Sequence, residues 1–389
     1  MEVVDESGFQ VICFPGRKGK GLVATKDFAE GSVVFEEDPL VCSQFPWNAT
    51  CKYRACDYCM RALETAEENV RRLLNNPDII LPNHDCCTTD RSTHTQCDLC
   101  GTEYCSQECL QRATAEYHQV LCLRTKARDG THPIERINEI WKNFYFPPES
   151  GSIMIFAKIF ALINQAPEKS KILHKFSQFC QFTSNEDEEI THKLLGDNFR
   201  NQIDVIREMF VSTFGIPECQ HWMTPEGFLS LIAMVGTNGQ GVGSSALAEW
   251  AKRAGELNLP RTEKEQLEEF IDNLYNNLDD ESGGFLNCEG SALYELQSKI
   301  NHSCDPNSEV CFLHGNSRVT LRSLKEIHPG DEITISYLSA CDLERSRHSR
   351  QKELRANYLF QCQCPKCTTQ AEDPDVTSDE EFSSGDEDN

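Results

Sequence analysis

Twenty-one cysteines occur in this chain of 389 residues, and those between residues 56 and 122 follow a regular spacing. Two cysteines with two residues between them can bind the same tetrahedral zinc ion. Four such pairs of ligands are enough for two zinc sites. A disulfide framework is the alternative, but the acidic N-terminus MEVVDESGFQVICF does not resemble a signal peptide. The spacing therefore predicts zinc. The expected ligands are Cys56, Cys59, Cys97, Cys100, Cys105, Cys109, His118 and Cys122.

A segment of 37 residues separates Cys59 from Cys97, far more than a compact zinc module needs. Its first part, ALETAEENVRRLLNN, has helical periodicity and is predicted to form a helix. Its second part, PDIILPNHDCCTTDRSTH, is typical of a loop. The segment contains four further side chains of metal-binding type, which we do not expect to be ligands: His84, Cys86, Cys87 and His94.

The composition is that of a folded, acidic protein. Apolar residues make up 39% and charged residues 25%, and the formal net charge is −25. This charge disfavours broad contact with nucleic-acid phosphates, and it suits either solubility alone or a basic protein partner. No apolar run is long enough to predict a membrane span. The length allows two or three domains.

Short β-rich runs with glycine and proline punctuation predict strands over residues 9–42 and 285–338. Residues 133–280 have apolar positions at three- and four-residue spacing, which indicates helices packed on a core. Within this region we expect a loop at Gly236–Gly241. We also expect several aromatic side chains to be core residues, namely Phe144, Phe146, Phe176 and Phe179.

Two charged segments follow the second group of strands. The basic sequence RSRHSRQKELRANY predicts a helix, and its cations could form a docking surface, although a solvated helix face is the simpler expectation. The final 19 residues carry nine acids and no base, and we expect them to be disordered. The cations near the basic helix are Arg345, Arg347, Arg350, Lys352 and Arg355.

Three motifs occur in one order after residue 300. The heptad Asn301–Asn307 has the sequence NHSCDPN, Ile335–Tyr337 ends a β-rich run as ISY, and Cys362–Cys367 has the spacing CxCxxC. Before them, Gly16–Leu22 is a glycine-rich segment whose backbone can approach a ligand closely, although a plain hairpin is the simpler reading. Together with the Cys/His module, this series resembles the SET and MYND domain-containing protein lysine methyltransferases. The resemblance covers roughly residues 10–367.

The resemblance implies an α+β fold. A split SET domain, built of small β-sheets with a pseudoknot, would contain an inserted MYND zinc module, a helical SET insertion and a zinc-bound post-SET segment. The expected divisions are 1–55 for the N-terminal part of the SET domain, 56–122 for the MYND module with its long insertion, 123–283 for the helical region, 284–340 for the C-terminal SET core, 341–370 for the post-SET segment and 371–389 for the disordered acidic tail.

The resemblance also implies how the ligands are shared among three zinc ions. Because ligand pairs interleave in MYND modules, one ion would be held by Cys56, Cys59, Cys105 and Cys109. The second would be held by Cys97, Cys100, His118 and Cys122. A third would be held by Cys304, Cys362, Cys364 and Cys367, and it would fix the post-SET segment in place over the active site.

The cofactor that the resemblance implies is S-adenosyl-L-methionine. Its carboxylate is expected at Lys18, Gly19 and Lys20. Its amino-acid and adenosine parts are expected to receive hydrogen bonds from Asn301 and His302, and an aromatic ring near the adenine is expected from Phe360.

The reaction that the resemblance implies is methyl transfer from a sulfonium to a neutral lysine amine, in which positioning and desolvation provide most of the rate. Tyr337 is expected at the floor of the lysine channel, in contact with the cofactor, with its hydroxyl near the methyl group. Tyr358 is expected to form a channel wall. No side-chain general base is expected, because desolvation and the sulfonium charge favour loss of the lysine proton to water. Ordinary packing is the alternative role for both tyrosines.

The acidic chain and the implied activity predict a basic protein substrate, such as a histone tail or a ribosomal protein. We further expect peptide partners for the MYND module, no direct contact with nucleic acid or membrane, a monomer, and localisation in cytoplasm and nucleus.

Two alternatives belong to other functional classes. One is a zinc-dependent adaptor whose MYND module binds peptides while the SET core is inactive. The other is a ubiquitin ligase, since RING modules also interleave two zinc ions. The intact Asn301, His302, Tyr337 and Tyr358 disfavour an inactive core, and the Cys/His order fits a MYND module better than a RING.

Overall fold

The computed structural model describes residues 8–14, 19–127, 130–144, 152–182, 200–282 and 287–374. Its strands are β1 (Phe9–Phe14), β2 (Gly19–Ala24), β3 (Val33–Glu37), β4 (Val41–Gln44), β5 (Thr95–Gln96), β6 (Glu103–Tyr104), β7 (Gln240–Ser244), β8 (Cys288–Leu293), β9 (Asn301–His302), β10 (Ser308–Cys311), β11 (Val319–Ser323) and β12 (Glu332–Ile335). Its helices are α1 (Trp47–Thr50), α2 (Ala66–Leu73), α3 (Gln107–Ala113), α4 (Gln119–Leu121), α5 (Pro133–Phe144), α6 (Ile153–Gln165), α7 (Lys169–Ser177), α8 (Arg200–Phe214), α9 (Pro225–Asn238), α10 (Ala246–Gly255), α11 (Arg261–Ser282), α12 (Ala340–Glu344), α13 (Arg347–Tyr358) and α14 (Pro365–Thr369). Small sheets and separate helices confirm the α+β class.

Three small sheets join strands from the two ends of the chain. Their orders are β1-β2-β12-β9, β10-β11-β3 and β4-β8-β7. In each sheet a strand from residues 9–44 pairs antiparallel with a strand that begins after residue 287. The two β-rich segments of the sequence therefore form one unit, and the residues between them are inserted into it.

Strand β9, which has only two residues, lies parallel to β12. Asn301 is opposite Thr334, and His302 is opposite Ile335. Ile333 and Ile335 of β12 are buried in the core beneath the first sheet, which fixes which face of the strand points inward. This pairing brings the NHSC motif beside the ISY motif, although some thirty residues separate them in the sequence.

Helices α5 to α9 share a core around α6. This helix is apolar on nearly all sides, as expected for a helix surrounded by other elements. Phe160 is fully buried, and its ring centroid lies 5.6 Å from that of Phe210, 5.9 Å from that of Phe214 and 6.1 Å from that of Trp222. The spacing of apolar residues in 133–280 therefore correctly predicted helices packed on a core.

The predicted core aromatics can be checked in part. Phe176 and Phe179 are buried with ring centroids 6.2 Å apart, which confirms the prediction for this pair. The side chain of Phe144 and the whole of Phe146 lie outside the described residues, as do residues 15–18 and the acidic tail beyond residue 374.

The loop predicted at Gly236–Gly241 is wrong for most of its length. Helix α9 continues to Asn238, and strand β7 begins at Gln240. Strand β7 pairs with β8 along its whole length and buries Val242 between glycines. Because glycine provides no apolar side chain, the alternating pattern of this strand was invisible in the sequence.

The long insertion between Cys59 and Cys97 packs on helices α10 and α11. Its helix α2 begins at a capping box in which Thr65 and Glu68 each bond to the other's backbone. Val70 on α2 and Trp250 on α10 are fully buried in the same cluster. The indole Nε1 of Trp250 donates to the carbonyl of Pro82 in the insertion at 3.0 Å. The insertion therefore fastens the zinc module to the helical region.

Among the helices that the structure describes, none combines the length and the apolar character of a membrane span.

Replacing Trp250 by alanine is expected to lower the free energy of unfolding by about 3–5 kcal/mol, because it leaves a cavity between the insertion and α10. Denaturant unfolding followed by circular dichroism measures the change. The control is Ile80→Ala in the same insertion. Since Ile80 is 67% exposed, its removal should change stability by less than about 0.5 kcal/mol. Equal stability of both variants would show that the Trp250 contact does not hold the insertion.

Candidate active site and metal centres

Asn301 lies where β2, β9 and β12 meet. Its Nδ2 donates to the carbonyl of Lys20 at 3.1 Å and to Oε1 of Glu332 at 2.9 Å. A Cβ placed on Gly21 would lie 2.6 Å from this Nδ2, so only glycine leaves room for the amide. Glycine at position 21 of the hairpin therefore leaves space for the side chain of Asn301. The hairpin also brings Gly19 and Lys20 to the predicted cofactor site.

The predicted anchor for the cofactor carboxylate is described only in part, since Lys18 lies outside the described residues. Lys20 extends its Nζ to Oε1 of Gln178 at 2.5 Å. Lys299 lies close enough to Lys20 for their charges to interact. Burial and the charge of Lys20 lower the pKa of Lys299, against the attraction of Glu295. Two neighbouring ammonium groups suit an anionic ligand group.

Both nitrogens of the His302 ring have partners within the protein. Nδ1 accepts the backbone N–H of Tyr337 at 2.9 Å, so the ring proton of the neutral imidazole is on Nε2, which lies 3.2 Å from Sγ of Cys304. The side chain is buried, at 8% exposure. A hydrogen bond from His302 to the cofactor can therefore come only from its backbone, because the ring is already engaged.

Tyr337, Tyr358 and Phe360 form an aromatic wall beside His302. The ring centroids of the two tyrosines are 4.8 Å apart, and Phe360 stands edge-on to Tyr337 at 6.3 Å. The Tyr337 hydroxyl donates to the carbonyl of Ile300 at 2.6 Å. Burial raises the pKa of both tyrosines, so their phenols are neutral near pH 7. The position of the hydroxyl relative to a transferred methyl group stays a prediction.

Glu37 is a site residue that the sequence analysis missed. Its carboxylate accepts the backbone N–H of Leu296 at 2.9 Å and of Gln297 at 3.0 Å, in the turn that leads to Asn301. Burial raises the pKa of Glu37, and these hydrogen bonds oppose the rise. No local pattern distinguishes Glu37 from Glu36, because its partners lie far along the chain.

Asn238 was also missed, within the segment that the sequence analysis treated as a loop. Its Oδ1 accepts the backbone N–H of Cys180 at 3.2 Å, and its Nδ2 donates to the Cys180 carbonyl at 2.8 Å. Asn238 thus ties the end of α9 to the segment that follows α7.

The first cysteine group unites Cys56, Cys59, Cys105 and Cys109. The Sγ atoms of Cys59 and Cys105 are 3.6 Å apart, and those of Cys105 and Cys109 are 3.5 Å apart. Ser106 caps α3 by accepting the backbone N–H of Cys109 at 3.2 Å. This cap sets the spacing of the last two sulfurs.

The second group unites Cys97, Cys100, His118 and Cys122. The Sγ of Cys97 lies 3.8 Å from that of Cys122, and the Sγ of Cys100 lies 3.5 Å from Nε2 of His118. Gly101 follows the first pair at a φ of +74°, a conformation that favours glycine and closes the turn between the cysteines.

The third group joins Cys304, directly after β9, to Cys362, Cys364 and Cys367 around the start of α14. The Sγ atoms of Cys304 and Cys367 are 3.5 Å apart. Hydrogen bonding from Cys362, and from His302, lowers the pKa of Cys304. Cys304 thus has the tendency to ionise that a metal ligand needs.

The three groups fit tetrahedral zinc. A Zn–S bond of about 2.3 Å places two sulfurs about 3.8 Å apart, close to the 3.5–3.8 Å found here. A disulfide needs about 2.05 Å between its sulfurs, and no cysteine in the described part of the chain forms one. The groups are those that the resemblance implied. Among the described residues, these three groups do not include His84, Cys86, Cys87 or His94.

The basic helix α13 is only partly the solvated face that the sequence predicts. Lys352 and Arg355 are exposed, but Arg350 is 1% exposed. Arg347 donates from Nε to the carbonyl of Cys367 at 2.9 Å. The expectation was wrong for Arg350 because residues 362–370 fold back over this side of the helix.

The sequence matches known proteins along most of its length. The SET domain family model matches residues 19–338. "Protein-lysine N-trimethyltransferase SMYD5" of Gallus gallus is 53% identical, over 94% of this chain and 87% of that protein. The protein of the same name from Homo sapiens is 49% identical, over 93% and 87%. "Histone-lysine N-methyltransferase SMYD3" of Mus musculus is 42% identical over a shorter stretch, 24% of this chain and 21% of that protein.

The matched residues span both strand-rich segments and the insertions between them, so they include Asn301, His302 and Tyr337. The two long matches also extend beyond the SET region into the third cysteine group, since they cover more than nine-tenths of the chain. The chain therefore belongs to the SET and MYND domain-containing family of protein-lysine methyltransferases.

Proposed function

We propose that this chain transfers methyl groups from S-adenosyl-L-methionine to the side-chain amine of lysine in a basic protein. The convergence of Asn301, His302 and Tyr337 within a SET domain carries the proposal. Relatives about 50% identical over most of their length are named protein-lysine N-trimethyltransferases, which supports lysine as the acceptor and the trimethyl state as the product. An adaptor with an inactive core is not favoured.

The cofactor, when bound, supplies a methyl group on a positively charged sulfur. Gly19, Lys20 and, by the resemblance, Lys18 would hold its carboxylate. The residues fit this group, because the positive charges of Lys20 and Lys299 both act in this part of the site. The remaining contacts would come from Asn301, the backbone of His302, Tyr337 and Phe360.

Tyr337 and Tyr358 would receive the lysine and exclude water around it. Removal from water disfavours the charged ammonium, so the site favours the neutral amine that can react. The Tyr337 hydroxyl donates a hydrogen bond to the Ile300 carbonyl. The lone pairs of its oxygen can therefore accept a hydrogen bond from the lysine amine and orient the amine nitrogen. The faces of the two rings would stabilise the cationic product. The lysine proton is released to water, since no side-chain base is assigned.

Zinc is the metal that we propose for all three groups. Thiolate and imidazole ligands at tetrahedral spacing suit Zn²⁺, and four protein ligands per ion make closed, structural sites. Zinc would then contribute folding free energy to the zinc module and the post-SET segment. The module would also offer a surface to peptide partners.

The substrate class rests on charge. A protein with a net charge of −25 attracts basic segments, so we propose histone tails or ribosomal proteins as substrates and no direct nucleic-acid contact. We further propose a monomer that works in cytoplasm and nucleus, where such substrates occur, with the domain divisions given above.

Replacing Tyr337 by phenylalanine is expected to lower methyl transfer about 100-fold, because the oxygen that orients the amine is lost. Cofactor affinity should change little. Label transfer from methyl-labelled S-adenosylmethionine to histones and ribosomal proteins measures activity, and calorimetry measures cofactor binding. The control is Tyr294→Phe, which removes another buried hydroxyl that donates to a backbone carbonyl, that of Ser317. Undiminished transfer by the Tyr337 variant would refute the channel-floor role.

Replacing Cys364 by serine is expected to reduce the zinc content from three ions per chain to two, because the third group loses a ligand. Thermal stability and methyl transfer should fall with it. Atomic emission spectroscopy measures the metal. Cys341→Ser is the matched control, since Cys341 is exposed and belongs to none of the three groups. Equal metal content in the two variants would contradict the third zinc site.

Raising the salt concentration from about 50 to 300 mM is expected to lower kcat/KM on a basic protein several-fold, because ions screen charge attraction beyond about a Debye length. Steady-state kinetics at fixed pH measures the effect. A short lysine peptide with no net charge serves as the control and should respond weakly. A salt-independent rate on the basic protein would argue against electrostatic attraction of the substrate.

A further inference from the structure

Helix α13 buries a guanidinium group beside the third cysteine group. Arg350 is 1% exposed, although Lys352 and Arg355 on the same helix are exposed. Its Nη1 donates to the carbonyl of Arg345 at 2.5 Å, and its Nη2 donates to Oε1 of Gln370 at 2.6 Å. The same Nη2 lies 3.8 Å from Sγ of Cys367. The side chain is thus fixed with one edge against a sulfur.

A buried guanidinium needs a negative charge nearby, because isolation from water costs a charge far more than two neutral hydrogen bonds return. In the part of the chain that the structure describes, no carboxylate forms an ion pair with Arg350, whereas most other arginines have one. The third cysteine group can supply this charge, because the Sγ of its Cys367 lies 3.8 Å from the guanidinium.

We propose that Arg350 is the charge partner of the third cysteine group and that it controls how tightly this group retains its metal. The inference rests on the zinc site proposed above. Zinc with four thiolates is formally doubly negative, and such a centre in a buried place is costly unless a cation lies beside it. Arg350 compensates half of this charge, and the Nε2–H of His302 adds a hydrogen bond to Cys304.

Arg350 is also a positioning residue for the active site. The adjacent Gln351 exchanges two hydrogen bonds with the backbone of Cys362, at 2.7 and 2.9 Å, so two consecutive side chains hold α13 against the metal group. Tyr358 ends this helix. A helix loosened from the metal group would therefore lose the fixed position of the Tyr358 ring beside Tyr337.

The test compares zinc release from wild type, Arg350→Met and Arg355→Met. Methionine has similar length but no charge, and Arg355 is the matched control because it is exposed on the same helix. A chromogenic chelator follows the release. One of the three ions should leave the Arg350 variant about 10- to 100-fold faster, as for other residues that support metal ligands. The other two ions, and all three in the Arg355 variant, should leave at wild-type rates.

The outcomes separate this inference from the zinc site on which it rests. Fewer than three zinc ions in the wild type would overturn the third site and this proposal with it. Three ions in the wild type, with unchanged release from R350M, would overturn the role of Arg350 alone. If R350M does not fold, R350K and R350Q decide the matter, since lysine keeps the charge and glutamine keeps only hydrogen bonds. Equal release from these two variants would overturn the charge role.

Discussion

One imidazole ring connects the third cysteine group to the aromatic wall. His302 accepts the backbone N–H of Tyr337 at one nitrogen and faces the sulfur of Cys304 with the other. The ring can do both only as one tautomer, and only while β9 lies beside β12. The cofactor pocket, the aromatic wall and the third cysteine group therefore depend on one short parallel strand pair. A metal ion bound at Cys304 would stabilise the pairing of β9 with β12.

The zinc module contacts the helical region at two places. Trp250 fixes its long insertion to the helical region. On the other side, buried Lys158 of α6 reaches into the module, where its Nζ contacts the backbone carbonyl of Asp57 at 2.5 Å and the Asp57 carboxylate at 3.2 Å. Lys158 is buried and Asp57 is half-buried, so loss of this contact would leave a buried ammonium group without its partner. Contacts through Trp250 and through Lys158 therefore both join the module to the helical region.

Much of this arrangement could be predicted because its signals are local. The spacing of ligands between residues 56 and 122, the NHSC heptad and the CxCxxC motif each report chemistry over a few residues. The grouping of Cys304 with a motif 58 residues away came from the family resemblance, and the structure brings these residues together. Glu37, Asn238 and Arg350 could not be found in this way. Each acts on residues far along the chain, and a lone carboxylate, amide or guanidinium carries no pattern that reveals its partner.

The sequence by itself determined most element types, the candidate metal-binding side chains and the family to which they belong, because periodicity and ligand spacing are properties of neighbouring residues. The tertiary structure decided which atoms are free to react. In the folded protein both ring nitrogens of His302 have hydrogen-bond partners, and the Tyr337 hydroxyl donates a hydrogen bond to the Ile300 carbonyl. Arg350 is buried, although other cations of its helix are exposed. These assignments depend on strand register and on the path of the post-SET segment, since a hydrogen bond forms only where packing brings donor and acceptor within about 3 Å.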